Sequence, residues 1–245
     1  MNATVADLQS LRFCIVGNGR AGRAFAQAMR FAELQLLGPL GRGEHVPECD
    51  VALLCVPERE LQSLAGSLKA GPLVGHCSAS SQLGVLAPHG AFSIHPLMTL
   101  TAHSSIAGAS CAVDGSTPDI IAFATELAER LRMTPLHVPS EKRALYHAAA
   151  SIASNFLVTL EDGAERAAAE CNVPRSALVP LVEAAVRSWA AGGFADAITA
   201  PIARGDRETV VRQREAIAQW IPDFLPSFDA LAAATQRAVD RGGLA

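Results

Sequence analysis

The sequence predicts an α/β domain with a doubly wound, largely parallel sheet, followed by an all-helical domain. Two observations support this fold class. Up to about residue 138, short apolar runs alternate with segments that have helical spacing. After Pro139 no β-type run occurs, and alanine-rich segments of helical period take over. We therefore expect two domains, residues 1–138 and 139–245.

Seven apolar runs of the first domain are candidate strands. Several are continuously apolar rather than alternating, which is typical of strands covered on both faces. Strand, helix and strand in succession predict parallel pairing. The candidate strands cover residues 12–16, 34–38, 50–56, 72–77, 91–95, 109–113 and 135–138, and the helices between them cover 21–32, 58–68 and 118–132.

Four helices are expected in the second domain, because their apolar residues recur with helical period. Asp206 fits the N-cap of the third of them. The four helices are predicted near residues 140–170, 174–191, 206–219 and 222–240.

Composition excludes several classes of protein. Half of the 245 residues are hydrophobic and 18% are charged, so the chain is neither disordered nor fibrous. The net charge of -4 offers no basic surface for nucleic acid. We see no secretory signal and no apolar run of membrane-spanning length, so a cytoplasmic protein without a membrane partner is expected. The six cysteines form no C-x-x-C pair and are interpreted as small buried residues rather than disulfides or metal ligands.

The motif GNGRAG follows the first predicted strand and opens the first predicted helix. Gly17, Gly19 and Gly22 fit the G-x-G-x-x-G pattern, in which the glycines allow a tight turn, backbone approach to a pyrophosphate and close packing of helix on strand. A purely structural turn is the alternative. The predicted cofactor-binding residues of this loop are Gly17, Asn18, Gly19, Arg20, Ala21 and Gly22.

The end of the second strand bears on which dinucleotide binds. An NAD site has an acidic residue there for the ribose 2′-hydroxyl, but residues 34–43 contain none, and Arg42 stands there instead. An arginine can pair with a 2′-phosphate, so NADP(H) is expected and NAD is the alternative. Arg42 as a solvated loop residue is the other interpretation. Too few residues follow Gly38 for the usual helix and extra strand, so this half of the nucleotide fold is expected to be abbreviated. The missing acidic residue also disfavours a glycine-loop methyltransferase.

Six motifs occur in order along nearly the whole chain: GNGRAG, LLCVPE, GHCSAS, SIHPLMT, YHAAASIASNF and TAPIARGD. In this order they resemble a family that pairs a Rossmann-like NADP-type domain with a C-terminal helical domain of unknown function. More distantly the chain resembles the 6-phosphogluconate-dehydrogenase-like group that includes pyrroline-5-carboxylate reductase, ketopantoate reductase, β-hydroxyacid dehydrogenase and prephenate dehydrogenase. The resemblance implies an oxidoreductase that dimerises through its helical domain.

The resemblance also implies roles for residues at strand ends. By this resemblance, the LLCVPE motif of the chain places the backbone of Cys55, Val56 and Pro57 against the cofactor. The segment His76 to Ser78 resembles a strand end near the nicotinamide, with Ser78 as a cofactor-binding residue, and the His-Pro motif places His95 beside the reactive ring. The Lys-x-x-x-Asn helix motif of β-hydroxyacid dehydrogenases is absent from the sequence.

The residues themselves suggest proton-transfer groups. His95 falls at a strand end, where it is either structural or able to exchange a proton with a carbonyl or imine. His147, Ser151 and Asn155 are spaced by four on an apolar helix and would form one polar stripe, which either faces a cleft or satisfies its own hydrogen bonds.

A polar loop between helices, TAPIARGD, supplies the last candidates. Arg204 would anchor a substrate carboxylate or a cofactor phosphate, with Thr199 as a further substrate-binding residue, or else Arg204 is solvated in a turn capped by Asp206.

These inferences predict an NADP(H)-dependent oxidoreductase that moves hydride to or from a small carbonyl, imine or hydroxy-acid substrate bound between the two domains. The alternative is an NADP(H)-binding sensor or scaffold without turnover. The expected catalytic residues are His95, His147 and Asn155, and the expected substrate-binding residues are Ser151, Thr199 and Arg204.

Overall fold

A seven-stranded sheet dominates the first part of the chain in the computed structural model, which describes residues 7–242. The strand order is β2-β1-β3-β4-β5-β6-β7, and the first five strands are parallel. β6 is antiparallel to β5 and parallel to β7. The strands are β1 (Arg12–Val16), β2 (Gln35–Leu40), β3 (Val51–Leu54), β4 (Leu73–His76), β5 (Ala91–Pro96), β6 (Ser110–Gly115) and β7 (Thr134–His137).

Helices cover both faces of this sheet, which confirms the predicted doubly wound fold. The helices are α1 (Arg20–Phe31), α2 (Glu58–Ser67) and α3 (Pro118–Arg130). Phe25 of α1 and Leu127 of α3 belong to the apolar cluster on one face, and Leu61 of α2 belongs to the cluster on the other. All seven predicted strands and the three helices between them are present, with ends shifted by one or two residues.

The first half of the nucleotide fold is abbreviated, as expected. β2 is the edge strand of the sheet, and residues 41–50 connect it to β3 without a helix or a further strand. On this side of β1, the described part of the sheet therefore contains one strand, β2.

The chain divides into two compact units, the first ending at Ser154 and the second beginning at Asn155. The boundary lies later than the expected position after residue 138, because α4 (Arg143–Ser151) packs against the sheet through side chains that are described below. A π-helical turn at Ile152–Phe156 follows α4 and leads directly into α5 (Leu157–Glu170).

In the second unit, residues 155–242 form helices joined by short loops, with no strand. Its remaining helices are α6 (Arg175–Ala197), which is interrupted at Gly193, α7 (Arg207–Trp220) and α8 (Leu225–Gly242). Asp206 caps α7 as predicted, since its carboxylate accepts a hydrogen bond of 3.1 Å from the Thr209 amide. None of the helices within residues 7–242 is both long enough and apolar enough to cross a membrane.

Candidate active site

The loop between β1 and α1 requires two of its three motif glycines for packing. Gly17 has a φ of 115°, and a Cβ at this position would overlap the carbonyl oxygen of Cys55. A Cβ on Gly22 would overlap the carbonyl oxygen of Gly17. The first glycine thus lets the loop lie against the end of β3, and the third lets α1 pack against the loop.

Gly19 has a different role, because nothing lies within 4 Å of the position its Cβ would take. It is the N-cap residue of α1, and no described side chain caps this helix end. Asn18, Gly19 and Arg20 are exposed. The first amides of a twelve-residue helix therefore face an open surface, and these amides together with the positive end of the helix dipole favour a bound phosphate.

Two charged residues of opposite sign follow β2. The side chain of Arg42 is 83% exposed, and its Nη2 lies 2.9 Å from Oε1 of Glu60. The carboxylate of Glu44, which the sequence interpretation did not consider, accepts a hydrogen bond of 2.7 Å from the Gly41 amide. Arg42 suits a 2′-phosphate and Glu44 suits a 2′-hydroxyl, so the preference for NADP(H) over NAD stays a prediction.

The carboxyl ends of β1, β3, β4 and β5 lie at one edge of the sheet, because these strands are neighbours and run in the same direction. The glycine loop lies at this edge. Open α/β sheets bind ligands at the carboxyl ends of their strands. The other predicted residues at this edge are Cys55, Val56, Pro57, His76, Ser78 and His95.

Arg143, at the start of α4, is a buried charged side chain with only 2% of its surface exposed. Its Nη1 donates to Ser93 Oγ at 3.0 Å and to Asp114 Oδ2 at 3.5 Å. Its Nε and Nη2 donate to the carbonyl oxygens of Ala79 and Ser78, respectively. The guanidinium therefore fixes α4 and the loop after β4 to the sheet.

Neither Arg143 nor Asp114 was predicted from the sequence, because neither belongs to a motif. The antiparallel pairing of β5 with β6 places Ser93 opposite Asp114, and this juxtaposition creates the acceptor site for the guanidinium. The only sequence signal was a charged residue at the start of an otherwise apolar helix.

His95 and Tyr146 form a hydrogen-bonded pair at the same edge. His95 Nδ1 lies 3.0 Å from the Tyr146 hydroxyl, and the two rings meet edge to face at 88°. Burial, with smaller contributions from His147 and Arg143, lowers the pKa of His95 to about 4, so its ring is neutral near pH 7. Burial also raises the pKa of the Tyr146 hydroxyl. Tyr146 was not among the residues predicted for the site.

His76 is completely buried at the end of β4. Its Nδ1 accepts a hydrogen bond of 3.2 Å from the Ser78 amide. Burial lowers the pKa of His76 to about 4, so the ring is neutral and its proton is assigned to Nε2. This Nε2 has no hydrogen-bond partner among the described residues. A buried donor without an acceptor costs about 1–3 kcal/mol and is a common mark of a ligand or water site.

Glu58, at the start of α2, organises the loop after β4. Its Oε1 accepts hydrogen bonds from the hydroxyls of Ser78 and Ser80. These bonds, the one from Ser78 foremost, hold the pKa of Glu58 below its usual value, and His147 contributes further. The hydroxyl of Ser78, predicted to bind the cofactor, is thus already engaged with a carboxylate.

The predicted polar stripe is interrupted by the π-helical turn. His147 and Ser151 lie one turn apart in α4, whereas Asn155 lies within the π turn and begins the second unit. The wider turn breaks the spacing of 100° per residue on which the stripe was based. In the second unit, Thr199 and Arg204 are exposed, and Arg204 donates to the carbonyl oxygen of Thr199 within its own loop. The roles of all five residues stay predictions.

The second half of the chain matches a known protein family. Residues 109–235 match the sequence profile of the domain of unknown function DUF2520. The chain belongs to the DUF2520 family. The match begins just before β6, so this DUF2520 region includes the last two strands of the sheet as well as most of the helical unit. The resemblance inferred from the motifs is thereby confirmed for the C-terminal half.

Solved structures share the fold of this DUF2520 protein over nearly its whole length. A Bacteroides fragilis protein described as a candidate NADP oxidoreductase, BF3122, superimposes with a TM-score of 0.80 at 16% identity and covers 94% of this chain and 100% of its own. Protein TM1727 from Thermotoga maritima gives 0.75 at 21% identity, with 95% and 100% coverage.

A third similar structure is the pyrroline carboxylate reductase of Plasmodium falciparum, crystallised with NADP bound. Its TM-score is 0.60 at 11% identity, and the match covers 94% of this chain and 100% of the reductase. No curated protein sequence matches the chain. At these identities the likeness establishes the shared fold, a Rossmann-like sheet with a helical C-terminal region.

Proposed function

We propose that the protein is an NADP(H)-dependent oxidoreductase, with NAD as the alternative cofactor, acting on a small carbonyl, imine or hydroxy-acid substrate. The observation that carries the proposal is the glycine loop. Gly17 and Gly22 are required by packing, whereas Gly19 leaves an open surface at an uncapped helix start. The NADP bound by the Plasmodium reductase of the same fold supports this assignment.

The bound cofactor would donate or accept the hydride, and the chain would bind and orient the cofactor. Backbone amides from Asn18 to Arg20 would bind the pyrophosphate. The strand end at Cys55, Val56 and Pro57 would line the cofactor, and Arg42 would leave Glu60 to pair with a 2′-phosphate.

The pair of His95 and Tyr146 would move the proton. With Nδ1 unprotonated, the neutral histidine accepts the hydroxyl proton of Tyr146, and the phenolic oxygen can then take a proton from the substrate. With the ring proton on Nδ1, the histidine donates to the phenolic oxygen while the hydroxyl gives its own proton to a substrate oxygen or nitrogen. In this proposal His147 and Asn155 polarise the substrate. The residues that bind the substrate are Ser151, Thr199 and Arg204.

Cofactor titration tests the proposal. We expect NADPH to bind the wild-type protein, and Arg42→Ala to weaken NADPH binding far more than NADH binding, because only NADPH carries the 2′-phosphate. Glu44→Ala is the matched variant, since it should affect NADH more. Equal losses for both cofactors would remove the basis for NADP preference, and no binding of either would refute the proposal.

Turnover separates the enzyme from the alternative of a sensor or scaffold. Carbonyl and imine compounds are screened for NADPH oxidation at 340 nm, a standard absorbance assay for the reduced nicotinamide. Oxidation that depends on Tyr146 and His95 supports the enzyme. Tight NADPH binding with no oxidation across the panel would favour the sensor.

We also propose a homodimer formed through the helical unit in the cytoplasm. Among the described residues of that unit only Gly163 and Ile221 are buried, while large apolar side chains such as Trp189 are exposed. Exposed apolar surface of this kind favours association. Imaging of the tagged protein would test the location, and sedimentation would test the dimer.

A further inference from the structure

Two cysteines lie opposite each other where neighbouring strands end. Cys55 follows β3 and Cys77 follows β4, and these strands pair in parallel with Leu54 opposite His76. The next residue of each strand is a cysteine. Neighbouring strands lie about 4.8 Å apart, which is within the Cα separation of about 4.4–6.8 Å found in disulfides.

The two side chains lie on the same face of the sheet. Cys55 belongs to the apolar cluster beneath α1, and Cys77 packs against the same cluster. The thiol of Cys77 also lies 3.9 Å from the carbonyl oxygen of Leu54, so it reaches over the neighbouring strand. Both cysteines are free in the structure.

Their surroundings give the two thiols different chemical character. Cys77 is partly exposed, whereas Cys55 is buried. A hydrogen bond from the Cys55 thiol lowers the pKa of Cys77, and the same interaction, with burial, raises the pKa of Cys55. A partly exposed cysteine beside a second free cysteine is an arrangement that can be oxidised to a disulfide.

We infer that Cys55 and Cys77 form an oxidisable dithiol that a peroxide closes to a disulfide beneath the glycine loop. The Cys77 thiolate attacks one peroxide oxygen, the O–O bond breaks, and Cys77 becomes a sulfenic acid, while the departing hydroxide takes up the proton that the Cys77 thiol had lost and leaves as the first water. The Cys55 sulfur then attacks the Cys77 sulfur, the S–O bond breaks, and the second water takes the Cys55 proton. Two thiols are oxidised, and one hydrogen peroxide is reduced to two waters.

This dithiol is coupled to the glycine loop through Cys55. The carbonyl oxygen of Cys55 occupies the space that excludes a side chain at Gly17, and its Cβ lies 3.5 Å from the position a Cβ on Gly22 would take. Closing the disulfide turns the Cys55 side chain toward Cys77 and therefore changes the packing on which the loop rests. We expect the backbone amides of residues 17–22 to exchange faster with solvent in the oxidised protein.

The test uses the full-length Cys171→Ser protein, which lacks the exposed single thiol. Stoichiometric hydrogen peroxide is added, and remaining thiols are counted after denaturation. The expected result is the loss of two thiols and a mass lower by two hydrogen atoms. Digestion after acidic residues separates Cys49 from Cys55, because Asp50 lies between them. Fragment-ion spectra then identify a cross-link between Cys55 and Cys77.

The chain offers its own control, since Cys14 and Cys49 form a second pair of neighbouring thiols in which both residues are buried. Cys49→Ser in the Cys171→Ser background should leave the cross-link unchanged, whereas Cys77→Ser should abolish it and the faster exchange of residues 17–22. A cross-link between Cys14 and Cys49, or a peroxide-treated protein with all its thiols intact, would overturn the inference. A cross-linked protein with unchanged loop exchange would overturn the coupling. None of these readouts requires bound NADPH, so they stand apart from the proposed function.

Discussion

Replacing Arg143 with alanine is expected to destabilise the sheet unit by about 3–5 kcal/mol, the cost of breaking one side of a buried ion pair. Asp114, of whose side chain only 16% is exposed, would lose its cationic partner. Ser93 and the carbonyl oxygens of Ser78 and Ala79 would each lose a donor. Since Nη1 and the carboxylate are 3.5 Å apart, we expect a loss near 3 kcal/mol, at the lower end of that range.

The control is Arg42→Ala in the same unit. Arg42 is closer to its partner, at 2.9 Å from Glu60, but its side chain is 83% exposed. Exposed ion pairs contribute about 0–1 kcal/mol, so Arg42→Ala should be nearly neutral for stability. Comparing the two variants therefore shows whether the burial of an ion pair or the distance between its charged atoms determines how much it stabilises the protein.

The assay is urea unfolding followed by pulsed hydrogen exchange of the amides in β5 and β6. Tryptophan fluorescence would not report on the sheet, because Trp189 and Trp220 both lie in the helical unit. A loss below about 1 kcal/mol for Arg143→Ala, which is the range of an exposed pair, would refute the reasoning. If Arg143→Ala does not fold, Asp114→Asn removes the charge more gently and should still lower the midpoint.

Three further predictions concern the loop, the buried pair and the helical unit. Gly19→Ala should change the free energy of unfolding by no more than about 0.5 kcal/mol while weakening NADPH binding, whereas Gly22→Ala should also destabilise the protein. Thermal unfolding measures the stability of both variants, and cofactor titration measures their NADPH binding. A large loss of stability for Gly19→Ala would contradict the open surface at this residue. His95 should titrate near pH 4 by NMR, so its contribution to stability is present above about pH 6.5 and decreases as the pH falls toward 4. A titration midpoint of His95 near 6.5 would show that its imidazole ring is solvated. Tyr146→Phe removes the hydrogen bond to His95 and should lower the free energy of unfolding by about 0.5–1.5 kcal/mol. Trp189→Glu should shift the sedimentation coefficient toward that of the monomer, and an unchanged value would place the proposed interface elsewhere.

The sequence predicted the elements of the fold well, because their signals are local. Continuous apolar runs marked the buried strands, and GNGRAG marked a turn in which two glycines are needed for packing. The contacts made by Arg143 could not be predicted, since they depend on the direction of β6 relative to β5. Whether β6 pairs with β5 in the parallel or the antiparallel direction is decided by long-range packing rather than by the residues of the strand itself.

The candidate site was only partly predictable, because it too depends on contacts between residues that are far apart in the sequence. His95 was identified from its place at a strand end, but its partner Tyr146 lies on a helix far along the chain, and only the folded structure brings the two rings together. The polar stripe assumed a regular helix, and the π turn at Ile152–Phe156 altered its phase. A π turn adds a residue to one helical turn without a simple sequence signature.

The antiparallel pairing of β5 and β6 also bears on how this family can be studied. The region that matches DUF2520 begins at residue 109 and so contains β6 but not β5. A fragment cut at that point would expose the β6 edge and leave the Arg143 side chain without Ser93. Unpaired strand edges promote aggregation. The segment by which the family is recognised is therefore not a segment that can be expected to fold by itself, and experiments on it should retain the preceding strands.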